Sequence, residues 1–159
     1  FSIFQSHLNY CSIVWSQKID SSNRLFILQK KAIRTISFAA RLSHTSPLFS
    51  KSKILKFYDK VSIENCIFIS KSLSNQLPVF FQGWFLFCSS THNHHLRSSN
   101  LGVIKVPSFK TKSHGRLSFR INAIYTWNNL QKMFKDFTFC NSNYTKIKAV
   151  LKSYYLNQY

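Results

Sequence analysis

The sequence contains very few acidic residues. Only four of its 159 residues are Asp or Glu, namely Asp20, Asp59, Glu64 and Asp136. No two of them are adjacent, whereas two-metal phosphoryl transfer and glycoside hydrolysis each use a pair of carboxylates. Asp20 and Asp59 are better explained as helix-capping or turn residues. The sequence therefore predicts no catalytic residue, and we expect the chain not to be an enzyme.

Glycine and proline are also scarce, with three of each. Turn-rich β proteins use both residues often, so their shortage favours helices. Gly83, Gly102 and Gly115 are isolated in the sequence, which excludes a glycine-rich phosphate-binding loop. The longest nearly apolar run, residues 79–88, is too short to span a bilayer, and we expect no membrane partner.

The four cysteines are scattered through the chain. Cys11 and Cys66 fall in segments with helical periodicity, where buried free thiols are common. Neither a secretory context nor a regular cysteine spacing suggests a disulfide framework. We therefore expect all four to be reduced, intracellular cysteines, namely Cys11, Cys66, Cys88 and Cys140.

Cys88 is followed by a group of histidines, which raises the question of a zinc site. The histidines stand at positions 92, 94 and 95. A structural zinc site needs a second ligand pair at zinc-finger spacing, and the sequence offers none. A polar loop is the favoured interpretation, so we predict no metal and no cofactor. Metal binding by Cys88, His92 and His94 stays open as the weaker alternative.

Apolar residues recur every three or four positions through most of the chain, which predicts helices. The predicted helical segments are 3–15, the first part of 24–49, 59–77, 123–130 and 144–156. Residues 103–106 and 117–121 alternate between apolar and polar, which predicts the two strands of a hairpin. The predicted fold is mainly α, a bundle-like set of helices with one small β-hairpin in the C-terminal half.

A polar stretch at residues 89–100 is the best candidate for an internal boundary. It divides a helical N-terminal part, 1–88, from a C-terminal part, 89–159, that contains the polar loop, the hairpin and the last helices. The C-terminal part includes Trp127, which we predict to be a core residue. Because residue 1 is Phe rather than Met, we expect the chain to be a fragment or a processed product.

The stretch 24–49 is the centre of the prediction. Leu25, Leu28, Ala32, Ile36 and Ala39 share one helical face, which we expect to be buried. The basic side chains fall on the other side of the same segment, and they are Arg24, Lys30, Lys31, Arg34 and Arg41. No acidic residue stands among them, whereas a face that serves only solubility usually mixes both signs.

The whole chain carries a net charge of +18, from 22 basic and four acidic residues. Like charges repel one another in a fold with this net charge, and a bound polyanion reduces that repulsion. Nucleic acid is the commonest polyanion. The alternative explanation is A+T-rich coding, which would raise Lys, Asn, Phe and Ile without selection for binding. We favour nucleic-acid binding, with RNA or DNA as the partner. Candidate contacts outside the central stretch lie on the predicted hairpin, at Lys110, Lys112, Arg116 and Arg120.

Several short motifs, taken in order, resemble the C-terminal region that follows the polymerase domain in reverse transcriptases of jockey-like, LINE-type non-LTR retrotransposons. The matching pieces are residues 8–15 (LNYCSIVW), 28–34 (LQKKAIR), Arg41 with 44–49 (HTSPLF), 54–55 (IL) and Asp59, 77–78 (LP), His92 with His94 and Arg97, 127–130 (WNNL) and the lysine-rich last helix. The resemblance covers nearly the whole chain. It departs from the family at Leu96, Gln131 and Ile147, where Thr, Pro and Phe are usual.

This resemblance implies a non-catalytic accessory region of an RNA-directed DNA polymerase, which binds nucleic acid non-specifically beside a polymerase domain encoded upstream. The upstream reverse-transcriptase domain would then be a second partner. Two alternatives stay open. The chain could be an inactive structural remnant of such a transposable element, or an independent basic nucleic-acid-binding module.

Overall fold

The computed structural model describes residues 2–90, 102–111, 115, 117–134 and 143–159. Seven α-helices lie in these ranges: α1 Ser2–Asn9, α2 Ser12–Trp15, α3 Ile19–Ile36, α4 Ser46–Lys51, α5 Phe57–Leu73, α6 Phe119–Met133 and α7 Tyr144–Asn157. Two short 3-10 helices, Val79–Phe81 and Cys88–Ser90, follow α5. The prediction of a mainly helical fold is confirmed. Within the described ranges, no helix is both long enough and apolar enough to cross a membrane.

The predicted β-hairpin is wrong. Ile104 forms an isolated antiparallel bridge with Phe87 instead of pairing with residues 117–121. The supposed return strand is the start of α6, where Ser118 is the N-cap and its side chain accepts a hydrogen bond from the Ile121 N–H. The alternation of apolar and polar residues covers only residues 117–121, and apolar residues with helical spacing follow directly after it. The helix therefore extends back to the first residue able to cap it.

The predicted first helix is interrupted. α1 ends at Asn9 and α2 begins at Ser12, because Cys11 adopts the left-handed conformation with φ 47°. The thiol of Cys11 is exposed, so the prediction of a buried thiol there is wrong. Cys66 is buried as predicted, and burial raises the pKa of its thiol because the thiolate would lose its hydration.

The chain divides into two compact units. One comprises Phe1–Ile63 and Ala149–Tyr159, and the other comprises Glu64–Lys148. The core of the first unit is rich in aromatic rings, with Trp15 stacked on Phe57 at 5.5 Å between centroids. Its other buried apolar side chains include Leu8, Ile33, Phe49, Ile63 and Leu151.

A buried amide fixes the start of α5 in the first unit. The Gln29 side chain, only 1% exposed, donates from Nε2 to the Leu55 carbonyl at 2.9 Å. Its Oε1 accepts from the Phe57 N–H at 2.8 Å. The first N–H groups of a helix have no partner within the helix, so a side chain that supplies one helps to define where the helix begins. We call this arrangement the Gln29 amide clamp.

The second unit contains a matching arrangement around α6. Trp127 is 1% exposed, which confirms the prediction of a core residue, and its Nε1 donates to the Gly102 carbonyl at 3.1 Å. Asn128 accepts from the Ile104 N–H and donates to the Ile104 carbonyl, both at 2.9 Å. We call the latter pair the Asn128 amide clamp. Together these side chains hold residues 102–104 against α6.

The segment 79–87 is less buried than its composition predicts. Val79 and Phe80 are 78% and 74% exposed, so this nearly apolar segment is not buried along its whole length. Phe85 is buried, and the Phe81 and Trp84 rings meet edge to face at 4.9 Å. This aromatic cluster buries only the rings on its inner side. Other apolar side chains of the segment therefore remain in solvent.

Asp59 and Tyr159 connect the first turn of α5 to residue 159 within the first unit. The Tyr159 hydroxyl donates to Asp59 Oδ2 at 2.5 Å and accepts from the Lys56 N–H at 2.8 Å. Lys56 Nζ also lies 3.9 Å from the centroid of the tyrosine ring. Burial raises the pKa of Asp59, against the opposing effects of the Tyr159 hydrogen bond and the Lys56 charge.

The raised pKa of Asp59 predicts a pH-dependent stability. The folded state binds this proton more tightly than the unfolded chain, whose Asp pKa is about 3.9. The contribution is therefore present below that value and is lost as the pH rises through the folded-state pKa. Asp59→Asn keeps an acceptor for the Tyr159 hydroxyl and removes the titration, so we expect a flatter pH profile of the free energy of unfolding.

Urea unfolding at a series of pH values measures this difference between the wild type and Asp59→Asn. Asp20→Asn is the matched control, because Asp20 is an exposed carboxylate in the first turn of α3. The prediction is wrong if Asp59→Asn and the wild type lose stability in parallel across the interval just above the unfolded Asp pKa.

Candidate nucleic-acid interface

The rotation of α3 about its axis decides which of its side chains face outward. Ser22, Gln29 and Ile33 are buried, and their spacings of seven and four residues place them on one face. The predicted core face is therefore wrong in part, since Leu28 and Ile36 are 49% and 44% exposed. The face opposite the buried one carries Arg24 and Lys31, both exposed.

The end of α3 turns the chain back beside the helix. The Phe38 N–H donates to the Thr35 carbonyl at 3.2 Å, and the Ala39 N–H donates to the Arg34 carbonyl at 3.0 Å. These are the two hydrogen bonds of a Schellman motif, which reverses the chain through one left-handed residue. That residue is Phe38, with φ 49°. The loop of residues 39–45 then leads to α4.

A pocket of about 500 Å³ lies between the last turns of α3 and this loop, and we call it the basic pocket. Its lining residues are Lys31, Arg34, Thr35, Ala39, Arg41 and Leu42. Three of them are cations predicted from the sequence, and none of the lining residues is acidic. A concave site with charge of one sign attracts an anion, because the field of the three cations is not neutralised locally.

Arg34 is held in place by the loop. Its Nε donates to the Ser43 carbonyl at 3.0 Å, and the Ser43 hydroxyl in turn donates to the Ala40 carbonyl at 2.8 Å. The half-buried guanidinium is thus oriented before any ligand binds. Lys31 and Arg41 are exposed and approach the pocket from the helix and from the loop respectively.

The other two cations of the central stretch lie outside the pocket lining. Arg24 is exposed seven residues before Lys31, so both side chains leave α3 on the same face. Lys30 is half-buried, with Nζ 4.3 Å from the centroid of the Phe26 ring. A cation on an aromatic face contributes to local packing. Lys30 therefore has a structural role that the sequence did not indicate.

The candidates near the predicted hairpin belong to the second unit. Lys110 is exposed. Arg120 donates from Nε and Nη2 to the Trp84 carbonyl at 3.0 and 2.6 Å, and its guanidinium lies 5.7 Å from the centroid of the Trp84 ring. Arg120 thus fixes the segment before Phe85. Lys112 and Arg116 lie outside the described residues, and their predicted contacts stay predictions.

The proposed zinc ligands also fall largely outside the described part of the chain. Cys88 is half-buried, whereas His92, His94 and His95 lie in the undescribed range, as does Cys140. Among the residues that the structure describes, no group of three or more His, Cys, Asp or Glu side chains could hold a metal ion. The prediction about this loop therefore stays untested.

The helical pattern placed Arg41 on the polar face of the central helix, which is wrong because Arg41 lies in the loop after α3, and it did not indicate Phe38 or Leu42. Phe38 and Leu42 are 98% and 92% exposed, so both large apolar side chains stand in solvent at or next to the basic pocket. Glycine is the usual residue at the left-handed position of a Schellman motif, and its absence here concealed the turn. Once the turn is known, Arg41 belongs with Lys31 and Arg34.

Comparisons with known proteins assign this chain to no family. The resemblance to retrotransposon reverse transcriptases therefore depends on the motifs of the sequence alone. No protein-family model, no curated protein and no solved structure matches the chain.

Proposed function

We propose that this chain binds nucleic acid through the phosphate backbone, without sequence selectivity, and that the basic pocket is the centre of the binding surface. The observation that carries the proposal is the convergence of Lys31, Arg34 and Arg41 on one pocket that no acidic residue lines. Lys and Arg neutralise phosphates whatever the base, so they give affinity without specificity.

The basic pocket offers a phosphate three cations that differ in shape and in the element that carries them. Arg34, oriented by the Ser43 carbonyl, offers a planar fork of donors, which matches phosphate oxygens. Lys31 adds a compact charge from α3, and Arg41 adds a second fork from the loop. Arg24 lies about 10 Å further along the helix axis, on the same face as Lys31. It extends the basic surface toward the neighbouring phosphates of a bound strand.

The proposal includes the origin suggested by the motifs. We propose that the chain is the non-catalytic C-terminal region of a LINE-type reverse-transcriptase-like protein, with the upstream polymerase domain as its partner. The support is the ordered set of short motifs. Two of them contain the amide clamps, Gln29 in LQKKAIR and Asn128 in WNNL, which gives those motifs a structural role in this chain.

The coding sequence upstream tests this origin. An open frame with an aromatic-x-Asp-Asp box would support it. Stop codons immediately upstream would instead indicate an inactive remnant, and a nearby start codon would indicate an independent basic module. The binding test below does not depend on the origin of the chain, because it measures nucleic-acid binding by the chain itself.

The double variant Lys31→Gln with Arg41→Gln tests the binding surface. Both side chains are exposed, and Gln preserves helix propensity, so folding should be unaffected. We expect weaker binding and a log–log salt dependence flattened by about 1.4 for single strands or about 1.8 for duplex, since each lost phosphate contact removes about 0.7 or 0.9. Fluorescence anisotropy with a labelled oligonucleotide of mixed sequence, titrated at several salt concentrations, measures both quantities.

The matched control is Lys18→Gln with Lys51→Gln. It removes the same charge from exposed positions of the same unit that do not line the pocket. Lys30 and Arg34 are left intact because each also makes a contact within the fold. Equal losses in the two double variants would mean that net charge alone determines binding and would overturn the assignment of the pocket.

A further inference from the structure

We infer that the basic pocket takes single-stranded rather than duplex nucleic acid, and that the Phe38 ring stacks on an unpaired base beside the bound phosphate. This inference depends on the proposed function and names its substrate class. It is carried by the conformation, exposure and position of one residue.

Phe38 combines two unfavourable properties. Its backbone has φ 49°, a left-handed conformation that glycine adopts readily and that other residues adopt at a cost. Its side chain is 98% exposed, so the ring gains almost nothing from packing within the fold. A left-handed residue whose large apolar side chain stands in water contributes little to folding, so the ring is accessible to a ligand.

The backbone holds Phe38 at the edge of the basic pocket. Its N–H bonds to the carbonyl of Thr35, which lines the pocket, and the next residue, Ala39, lines it too. Both hydrogen bonds of the Schellman motif fix the origin of the side chain. The exposed ring of Phe38 therefore starts from a backbone position fixed beside two residues that line the basic pocket.

Aromatic rings beside a basic groove are typical of single-strand binding, because successive bases stack on the rings while cations follow the backbone. In a duplex the bases are paired and already stacked, so the ring reaches a base face only by unstacking a base step, which costs roughly a few kcal/mol. Leu42, 92% exposed on the pocket lining, adds an apolar contact for a sugar or a base.

The variants Phe38→Ala and Phe38→Tyr test the stacking role. We expect Phe38→Ala to weaken binding of a labelled single strand of mixed sequence by about 5- to 150-fold, the range for loss of one stacked base. Binding of the same strand annealed to its complement should change little. Phe38→Tyr keeps an aromatic face and should bind the single strand nearly as the wild type does.

Phe38→Gly separates this loss from unfolding. Glycine relieves the left-handed strain, so the melting temperature should rise while affinity for the single strand falls. Phe80→Ala is the matched control, since Phe80 is an exposed phenylalanine of the second unit. It should leave binding unchanged.

The inference is overturned if Phe38→Ala binds the single strand as the wild type does, or if it loses equal affinity for duplex and single strand. In either case the proposed function still stands provided that Lys31→Gln with Arg41→Gln weakens binding. A wild-type chain that binds neither oligonucleotide would overturn both proposals. Tighter binding to phosphatidylserine vesicles than to oligonucleotides, lost in Phe38→Ala, would assign the ring to a lipid surface and overturn the inference.

Discussion

Replacement of Trp127 by alanine is expected to lower the free energy of unfolding by about 3–5 kcal/mol, the range for removal of a large aromatic side chain from a core. The indole is 1% exposed, so its removal leaves a cavity inside the second unit. The substitution also removes the Nε1 hydrogen bond to the Gly102 carbonyl. Both effects act at the place where residues 102–104 meet α6.

Urea unfolding followed by far-UV circular dichroism measures this loss without depending on tryptophan fluorescence. Met133→Ala is the control on the same helix. Because Met133 is 60% exposed, its truncation should change stability by less than about 0.5 kcal/mol. A Trp127→Ala chain as stable as Met133→Ala would contradict a core role for the indole.

Replacement of Gln29 by leucine is expected to lower the free energy of unfolding by about 1–3 kcal/mol, the cost of one buried backbone group left unpaired. Leucine is close in volume, so packing is largely preserved and the lost hydrogen bonds dominate. The buried Phe57 N–H is left without its partner, which costs about 1–3 kcal/mol, and the loss of the half-buried bond to the Leu55 carbonyl adds a smaller amount. A hydrophobic substitution in a buried position would thus be strongly destabilising.

The same urea titration tests this prediction, with Gln82→Leu as the control at an exposed glutamine. Asn128→Leu repeats the experiment on the amide clamp of the second unit, and we expect a loss of the same sign. If Gln29→Leu were as stable as Gln82→Leu, the two backbone groups would have found other partners, and the clamp would not determine where α5 begins.

The Gln29 amide clamp also connects stability to the candidate site. Gln29 and Ile33 fix the buried face of α3, and the opposite face then presents Arg24 and Lys31 outward. The polar residue in the core thus sets the direction of the cations. A helix docked instead on Leu28 and Ile36 would point its basic side chains elsewhere.

The helical class, the absence of a carboxylate pair and the burial of Trp127 follow from the sequence by itself. These properties depend on composition and on local periodicity, which act within a few residues along the chain. The last helix illustrates this, since Ile147 and Leu151 are buried at the predicted spacing of four residues. The basic character of α3 likewise follows from its composition.

The tertiary structure decided which face of α3 is buried, which segment pairs with Ile104, and which cations meet in one pocket. Each depends on groups far apart in sequence, such as Gln29 with Leu55 and Phe57, or Asn128 with Ile104. Hydropathy alone favours Leu28 over Gln29 as a core residue. Burial of the Gln29 amide instead supplies hydrogen-bond partners to the Leu55 carbonyl and the Phe57 N–H, which would otherwise lack them. The pocket followed from the left-handed turn at Phe38, which brings Arg41 back toward Lys31 and Arg34.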